Sequence, residues 1–585
     1  VKPIRSLARS PGLGLLLALL VWTLPTLARA DALSVTFFAG TQYELKAYFL
    51  RGEAPGPTVM IQGGIQGDEV SGFLTAQVLT RATLRRGNLV IIPRANVPTV
   101  NTRRRQVNVD LNRRFDRDYG QFYEDRLARA IRFLMAGCDA FIHLHEGSGF
   151  YHPTYVNVLR NPGRYGQSII IDATVFQNRI HLAQAVHHVL DRLNGAIVPA
   201  DYRFRMFNTD TFSANTAHPE QRKSLTYYAL SQVGIPALAI EVSKSITNLG
   251  WKVTQQLKAA QLFLEYFGVA ATLPYVTEEE VNRYLSSFGP ITVNGRPVRA
   301  GQTLHLTLSP GETLQVAAPR ADDLSFSPVA AVLASDRPDF NVVGSPRLVL
   351  APFSTLDVRA DGNRLARVSV RMDPTWKDLA EAKAAGSGTL FAVWLNKTLR
   401  FVPAGRTLDA VTGDQLVLEG IWSGRNDEVL NLKGFVSSPV ANRGQDLGQE
   451  IILDPQDFIG SYLEKSGDDW LCRVVRETRG QRRSEFTLRV APRRIQAVQL
   501  MDSDGHPVLV HWKDGGQFDL PPGEYRLEDL WSNGARDKVV ATQGQRALPW
   551  GSILRLAPGA ALPLTLRQAT TFKPIGEMVL RAPNS

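Results

Sequence analysis

The sequence predicts an α/β domain with helices on both faces of a mixed sheet, followed by β-sandwich or barrel modules. Two observations carry this. Between about Asp31 and Val269 short apolar runs alternate with helically spaced segments, which is the pattern of a layered α/β fold. After about Thr272 the texture changes to short alternating strands separated by Gly, Pro, Asn and Asp, the signature of all-β modules. In the first region strands are expected at Thr58–Gln62, Leu89–Pro93, Ala140–Leu144 and Ala237–Val242. Helices are expected at Asp68–Leu79, Phe122–Met135, Ile180–Leu193, Gln221–Gln232 and Thr254–Phe267. Phe122–Met135 places Leu127, Ile131 and Leu134 on one face, the spacing of an amphipathic helix. In the second region Ile291–Val293 precedes Asn294-Gly295, Leu304–Leu308 precedes Ser309-Pro310-Gly311, and Gln415–Glu419 is a further strand. Trp376–Ala385 is the one helical interruption, with Gly386-Ser387-Gly388 as a boundary behind it. The expected division is 1–30, a leader; 31–273, the α/β domain; 274–372, β-rich; 373–490, β-rich and immunoglobulin-like; and 491–585, a C-terminal β-rich domain.

Bulk properties narrow the setting. A chain of 585 residues with 44% hydrophobic and 21% charged residues has room for several ordinary globular cores. Lys2, Arg5 and Arg9, the mostly apolar Leu15–Leu24, and Ala28-Arg29-Ala30 read as a secretory signal cut before Asp31. The apolar run is too short for a membrane span, and no later segment is long and apolar enough for one. The mature chain is therefore expected in the periplasm, without a transmembrane segment. Removing Lys2, Arg5, Arg9 and Arg29 lowers the formal charge from +11 to +7. Such a mildly basic exported chain is expected to be drawn to anionic wall polymers or membrane surfaces. No Lys/Arg run suits nucleic acid. Cys138 and Cys472 are the only cysteines, too few and too far apart for a disulfide framework or a thiolate metal site.

Four polar stretches carry chemistry: Gly63–Glu69 (GGIQGDE), Val109–Phe115 (VDLNRRF), Phe141–Gly149 (FIHLHEGSG) and Ala237–Ser245 (ALAIEVSKS). Each lies at or just past the C-terminal end of an expected strand, where open α/β sheets place their ligand crevices. A hydrolytic zinc needs three protein ligands and one open position. Gln66 and Glu69, in a Gly-rich turn entering a helix, and His145, at a strand end, are the candidate ligands. Zinc-bound water then needs a separate carboxylate to take its proton, and Glu241 suits that role. Glu146 reads as a solvated or supporting acid, and the remaining histidines apart from His143 as structural.

The four stretches resemble the zinc carboxypeptidase family, whose pattern runs His-x-x-Glu, Asn-Arg, His and a catalytic Glu. Gln66 stands where that family usually has His. A narrower branch shares the departure: the peptidoglycan DL-carboxypeptidases that set helical cell shape, in which a Gln is a zinc ligand. The segment His143–Asp172 and SLTYYAL at Ser224–Leu230 look like that branch too. The resemblance implies one Zn2+ per catalytic domain. It implies a substrate class of peptidoglycan muropeptides, with tripeptides trimmed to dipeptides by release of terminal meso-diaminopimelate. Other cell-shape proteins are admissible partners. It places Asn112 and Arg113 on the substrate's terminal carboxylate and Arg105 on the oxyanion, with Arg103 or Arg104 as alternatives for the latter. Arginine suits both tasks through charge-assisted, bidentate bonds.

Gln66 has a further consequence. If its amide oxygen faces a metal, its amide nitrogen needs an acceptor, and Asp110 is the candidate. His143, two residues before His145, shares its strand face and is expected to support the site or face substrate. Two other functions compete: a desuccinylase-type amidase or deacylase, and a wall-binding scaffold that lost catalysis when His became Gln. A decayed site is not expected to keep ligands, clamp and Glu241 together. Trp512 and Trp531 of the β-rich tail either fill cores or contact glycan.

Overall fold

In a computed structural model the described residues are 33–584, apart from 310, 336, 345, 351–352, 374–389, 423–427, 437–445 and 479–480. The expected leader and the expected helix Trp376–Ala385 with its Gly386-Ser387-Gly388 boundary lie outside them. The N-terminal region runs β1 (Leu33–Phe37), β2 (Leu45–Arg51), β3 (Ala54–Gln62), α1 (Val70–Leu79), β4 (Thr83–Ile92), α2 (Val97–Thr102), α3 (Tyr123–Met135), β5 (Ala140–Gly147), β6 (Phe150–Tyr151), β7 (Arg160–Asn161), β8 (Ser168–Ile171), α4 (Leu182–Leu193), β9 (Arg205–Asn208), α5 (Leu225–Tyr228), β10 (Ala237–Ser243), α6 (Leu249–Tyr266) and β11 (Ala270–Thr272). Nine of these strands form one mixed sheet, ordered β1-β2-β4-β3-β5-β10-β8-β9, with β11 beside β4.

Strands β4, β3, β5 and β10 are mutually parallel. Their apolar residues from Val59–Ile61, Leu89–Ile92, Phe141–Leu144 and Leu238–Ile240 are buried, as expected of strands covered on both faces. The chain passes from β3 to β4 on one side and later returns to β5 on the other. That reversal opens a crevice beyond the C-terminal ends of β3 and β5, where Gly63–Glu69 and His145 sit. Helix α1 is buried along its whole length and packs on β5 and α6.

Three local differences from the sequence reading have physical causes. The antiparallel strands β1 and β2 were not among the expected elements; β2 pairs with β4 and extends the parallel core. The expected helix Gln221–Gln232 is broken into a 3-10 turn at Pro219–Lys223, α5, and a π-turn at Ala229–Val233. Ser224 interrupts it by capping α5, its side chain accepting from Tyr227 N. Finally, β5 and β10 continue to Gly147 and Ser243, so His145 and Glu241 lie inside strands rather than at their ends.

The tail is strand-rich throughout its described residues. Separate apolar clusters lie within 291–368, 391–490 and 498–582. The last two are each enclosed by a four-stranded and a five-stranded sheet. Trp512 packs against the final cluster, whereas Trp531 is 49% exposed. Cys138 and Cys472 are buried free thiols. The tail folds back onto the N-terminal domain: Phe572 stacks on Phe133 at 4.6 Å, Arg126 pairs with Asp457 at 3.1 Å, and Phe326 enters the N-terminal core.

Candidate functional site

The loop after β3 is built from close backbone approaches. A Cβ on Gly63 would overlap the Gly72 carbonyl, and Gly64 takes φ +64°, a conformation open to glycine. Gly67 lies against the backbone of α2, where a Cβ would overlap the Thr99 carbonyl. These contacts fold the loop tightly, so that Gln66 and Glu69 enter the crevice nearly buried. Lys244, just past β10, ties down the intervening Asp68 at 2.5 Å.

Glu69 Oε2 and His145 Nδ1 meet at 2.8 Å. Across the parallel pair, His145 is in register with Glu241, so both side chains leave the sheet on one face. Among the described residues Glu241 Oε2 is buried without a hydrogen-bond partner. Burial, opposed by His145 and reinforced by Glu69, pushes the Glu241 carboxyl up to about 7. Burial pushes the His145 imidazole down, but the adjacent Glu69 carboxylate outweighs it and the net shift is upward.

Gln66 Nε2 donates to both oxygens of Asp110, at 3.1 and 3.2 Å. That fixes the amide with Oε1 on the opposite side, where it accepts from Arg105 NH1 at 3.1 Å. The carbonyl oxygen keeps a second lone pair. Arg105 NH2 also reaches Asp110 at 2.7 Å. Of the three neighbouring arginines, Arg105 contacts the predicted ligand, while Arg103 Nε donates to the carbonyl of Asp361. Asn112 Oδ1 takes the Leu225 N–H at 3.1 Å, leaving its NH2 group to donate elsewhere. Arg113 spends NH1 on the Asn112 carbonyl.

For His143 and Glu146 one of the two expected alternatives falls away and the supporting one remains. His143 does not face substrate: it is fully buried, and its ring meets that of His145 edge-on with centroids 3.9 Å apart. Gln62 Nε2 lies 3.4 Å from His143 Nε2. Burial and the neighbouring His145 hold the His143 imidazole well below its ordinary pKa, so it packs as a neutral support under His145. Glu146 is not solvated. It takes the Ser71 N–H at the start of α1 and the Lys252 ammonium, each at 2.7 Å, and so locks α1 and α6 to β5. Lys252 escaped the sequence reading because a lysine within a helix carries no sign that its partner is on a strand.

Residues 16–275 match the model of a family described as the catalytic region of carboxypeptidases controlling helical cell shape. Those residues belong to that carboxypeptidase family. A 104-residue stretch of the chain is similar, at 35% identity, to N-alpha-acetyl-L-2,4-diaminobutyric acid deacetylase of Halomonas elongata. That stretch is 17% of this chain and spans 30% of the relative's length. Among solved structures, the apo cell-shape determinant Csd4 of Helicobacter pylori aligns over 76% of this chain and all of its own, at 18% identity and a TM-score of 0.44. A succinylglutamate desuccinylase/aspartoacylase of Rhodobacter sphaeroides aligns over 44% of this chain and 75% of its own, at 18% identity and a TM-score of 0.28. At these scores the structural likeness adds nothing to the family assignment.

Proposed function

We propose that the chain is a zinc-dependent DL-carboxypeptidase of the periplasm that trims peptidoglycan tripeptides to dipeptides, releasing terminal meso-diaminopimelate and so influencing cell shape. The observation that carries this is the meeting of Glu69 and His145 beside Glu241, with an amide from Gln66 held in one orientation by Asp110. The donor set fits zinc: imidazole Nδ1, carboxylate oxygen and amide oxygen, all nearly buried. Tetrahedral ligands at zinc distances lie about 3.3 Å apart, so Glu69 and His145 need to part by only about half an ångström from their 2.8 Å contact. Bound there, the ion would supply Lewis acidity toward the scissile carbonyl and a more acidic water.

The chain's own residues do the rest. Glu241, unpartnered at Oε2 and with its pKa raised, takes a proton near neutral pH and returns it to the leaving amine. Arg105 answers the charge that develops on the carbonyl oxygen. Asn112 NH2 and the free donors of Arg113 hold the terminal carboxylate, which selects an exopeptidase cut. The separate apolar clusters of the tail support a division at 273, 372 and 490.

The test is digestion of purified muropeptides by the full chain with zinc, read by mass spectrometry. Wild type is expected to convert tripeptide to dipeptide, and Glu241→Ala to leave it intact. Dipeptide formation by both proteins, or by neither, contradicts the proposal. The deacetylase relative favours one second reading, a deacylase, and the same spectra decide it. That activity would remove acyl groups and leave peptide lengths unchanged.

A further inference from the structure

Helix α2 is gripped from two sides by glycine backbone. On one side is Gly67 of the loop that carries Gln66, whose N–H also donates to the Arg104 carbonyl at 2.9 Å. On the other is a hairpin of the following β-rich region, Thr355–Ala360 with Asn363–Met372. Its turn residues Asp361 and Gly362 have φ of +41° and +75°, the two-positive-φ form that hairpins favour. A Cβ on Gly362 would overlap the Val100 carbonyl and the Arg103 side chain. The turn is anchored by a buried ion pair: Arg94 donates Nε and NH2 to the two oxygens of Asp361 at 3.0 and 2.7 Å. Arg103, the left-handed C-cap of α2, donates Nε to the Asp361 carbonyl at 2.7 Å. Two residues further on, Arg105 reaches Gln66 Oε1 and Asp110.

We infer that the Asp361-Gly362 turn is a positioning element of the catalytic centre. It fixes α2 and the Arg103–Arg105 turn, and through them sets Gly67, Gln66 and Arg105. The inference rests on the reading that Gln66 is a metal ligand. A hairpin that merely glued two regions together would have no reason to touch the segment carrying site residues. This one meets α2 main chain to main chain, and packed backbone transmits displacement because neither partner can yield.

The experiment uses the full chain with Arg103→Ala, Arg103→Lys and Gly362→Ala. Arg103→Ala leaves the buried Arg94–Asp361 pair intact. Amide hydrogen exchange is followed on zinc-free protein, and zinc affinity is measured by competition with a chromogenic chelator. The expected result is faster exchange confined to residues 63–69 and 97–110 in Arg103→Ala and Gly362→Ala. Zinc binding should be about tenfold weaker, the scale of losses when a ligand's support is removed. Arg103→Lys, which keeps one donor, should regain most of both. On substrate, kcat should fall more than KM changes. Unchanged exchange in those two segments overturns the inference. So does a rise spread evenly over the chain, or Arg103→Ala that fails to fold. Wild type that binds no zinc refutes the proposed function instead, and the exchange data still decide this one.

Discussion

Glu241 and His145 are Cα partners across the parallel strands β10 and β5, so the proposed proton acceptor and a candidate metal ligand stand side by side on one sheet face. Their spacing is set by backbone hydrogen bonds rather than by a loop. Glu241→Gln should therefore leave zinc binding within a few-fold of wild type while lowering the rate on tripeptide by about 10²–10⁴. Equilibrium dialysis and kinetics on one preparation check both halves. Loss of metal together with activity would make Glu241 a ligand.

Asp110 serves Gln66, Arg105 and the Asn112 N–H at once. Asp110→Asn leaves one acceptor oxygen for three donors. The Gln66 amide then loses its fixed orientation, and zinc affinity should fall about 10- to 100-fold. Isothermal titration of the zinc-free chain measures it, and an affinity unchanged in the variant would sever Asp110 from the site.

The raised Glu241 carboxyl has a sign that can be worked out. Its value moves from 4.5 to about 7 in the folded, metal-free chain. Between those values the folded form holds more protons than the unfolded one, so stability is lost as pH rises through that window. The loss is roughly 3 kcal/mol at most. Glu241→Gln should match wild type at pH 4, below both values, and melt higher than wild type at pH 8, both in chelator. Equal melting differences at the two pH values would contradict the assigned burial.

Gly147 is the glycine whose missing side chain leaves room for the Glu241 carboxylate. A Cβ there would lie 2.7 Å from Glu241 Oε2 and 2.6 Å from Gly166 Cα. Gly147→Ala must displace the carboxylate or part the two strand ends. Activity should fall about 100-fold while zinc affinity at the proposed ligands Gln66, Glu69 and His145 is largely kept, because the atoms nearest that Cβ belong to Glu241 and Gly166. A fully active variant would mean that Glu241 does not work from its present rotamer.

Much of this was legible in the sequence because the signals are local. Apolar runs ending in Gly63-Gly64, in His145 and in Glu241 mark strands whose ends meet in an open α/β sheet, and the spacing of Gln66 and Glu69 is visible by eye. A two-donor amide beside a carboxylate loop also led to Asp110. What escaped is non-local. Nothing in IHLHEG says that His143 is roofed over by Gln62 and His145, or that Glu146 finds Lys252 a hundred residues away. Nor does a DG turn in a β-rich tail announce that it presses on α2. The same contact makes truncation after Val269 a poor test of the tail's role, since it strips Arg94 of its buried partner Asp361 and removes Phe326 from the core.

The most direct measurement is an anomalous difference map, at the zinc edge, from crystals of the full chain grown with zinc. The account predicts one strong peak within about 2.3 Å of Gln66 Oε1, Glu69 and His145 Nδ1, with Glu241 beside it and not bound to it. A peak elsewhere, or one coordinated without Gln66, would contradict it.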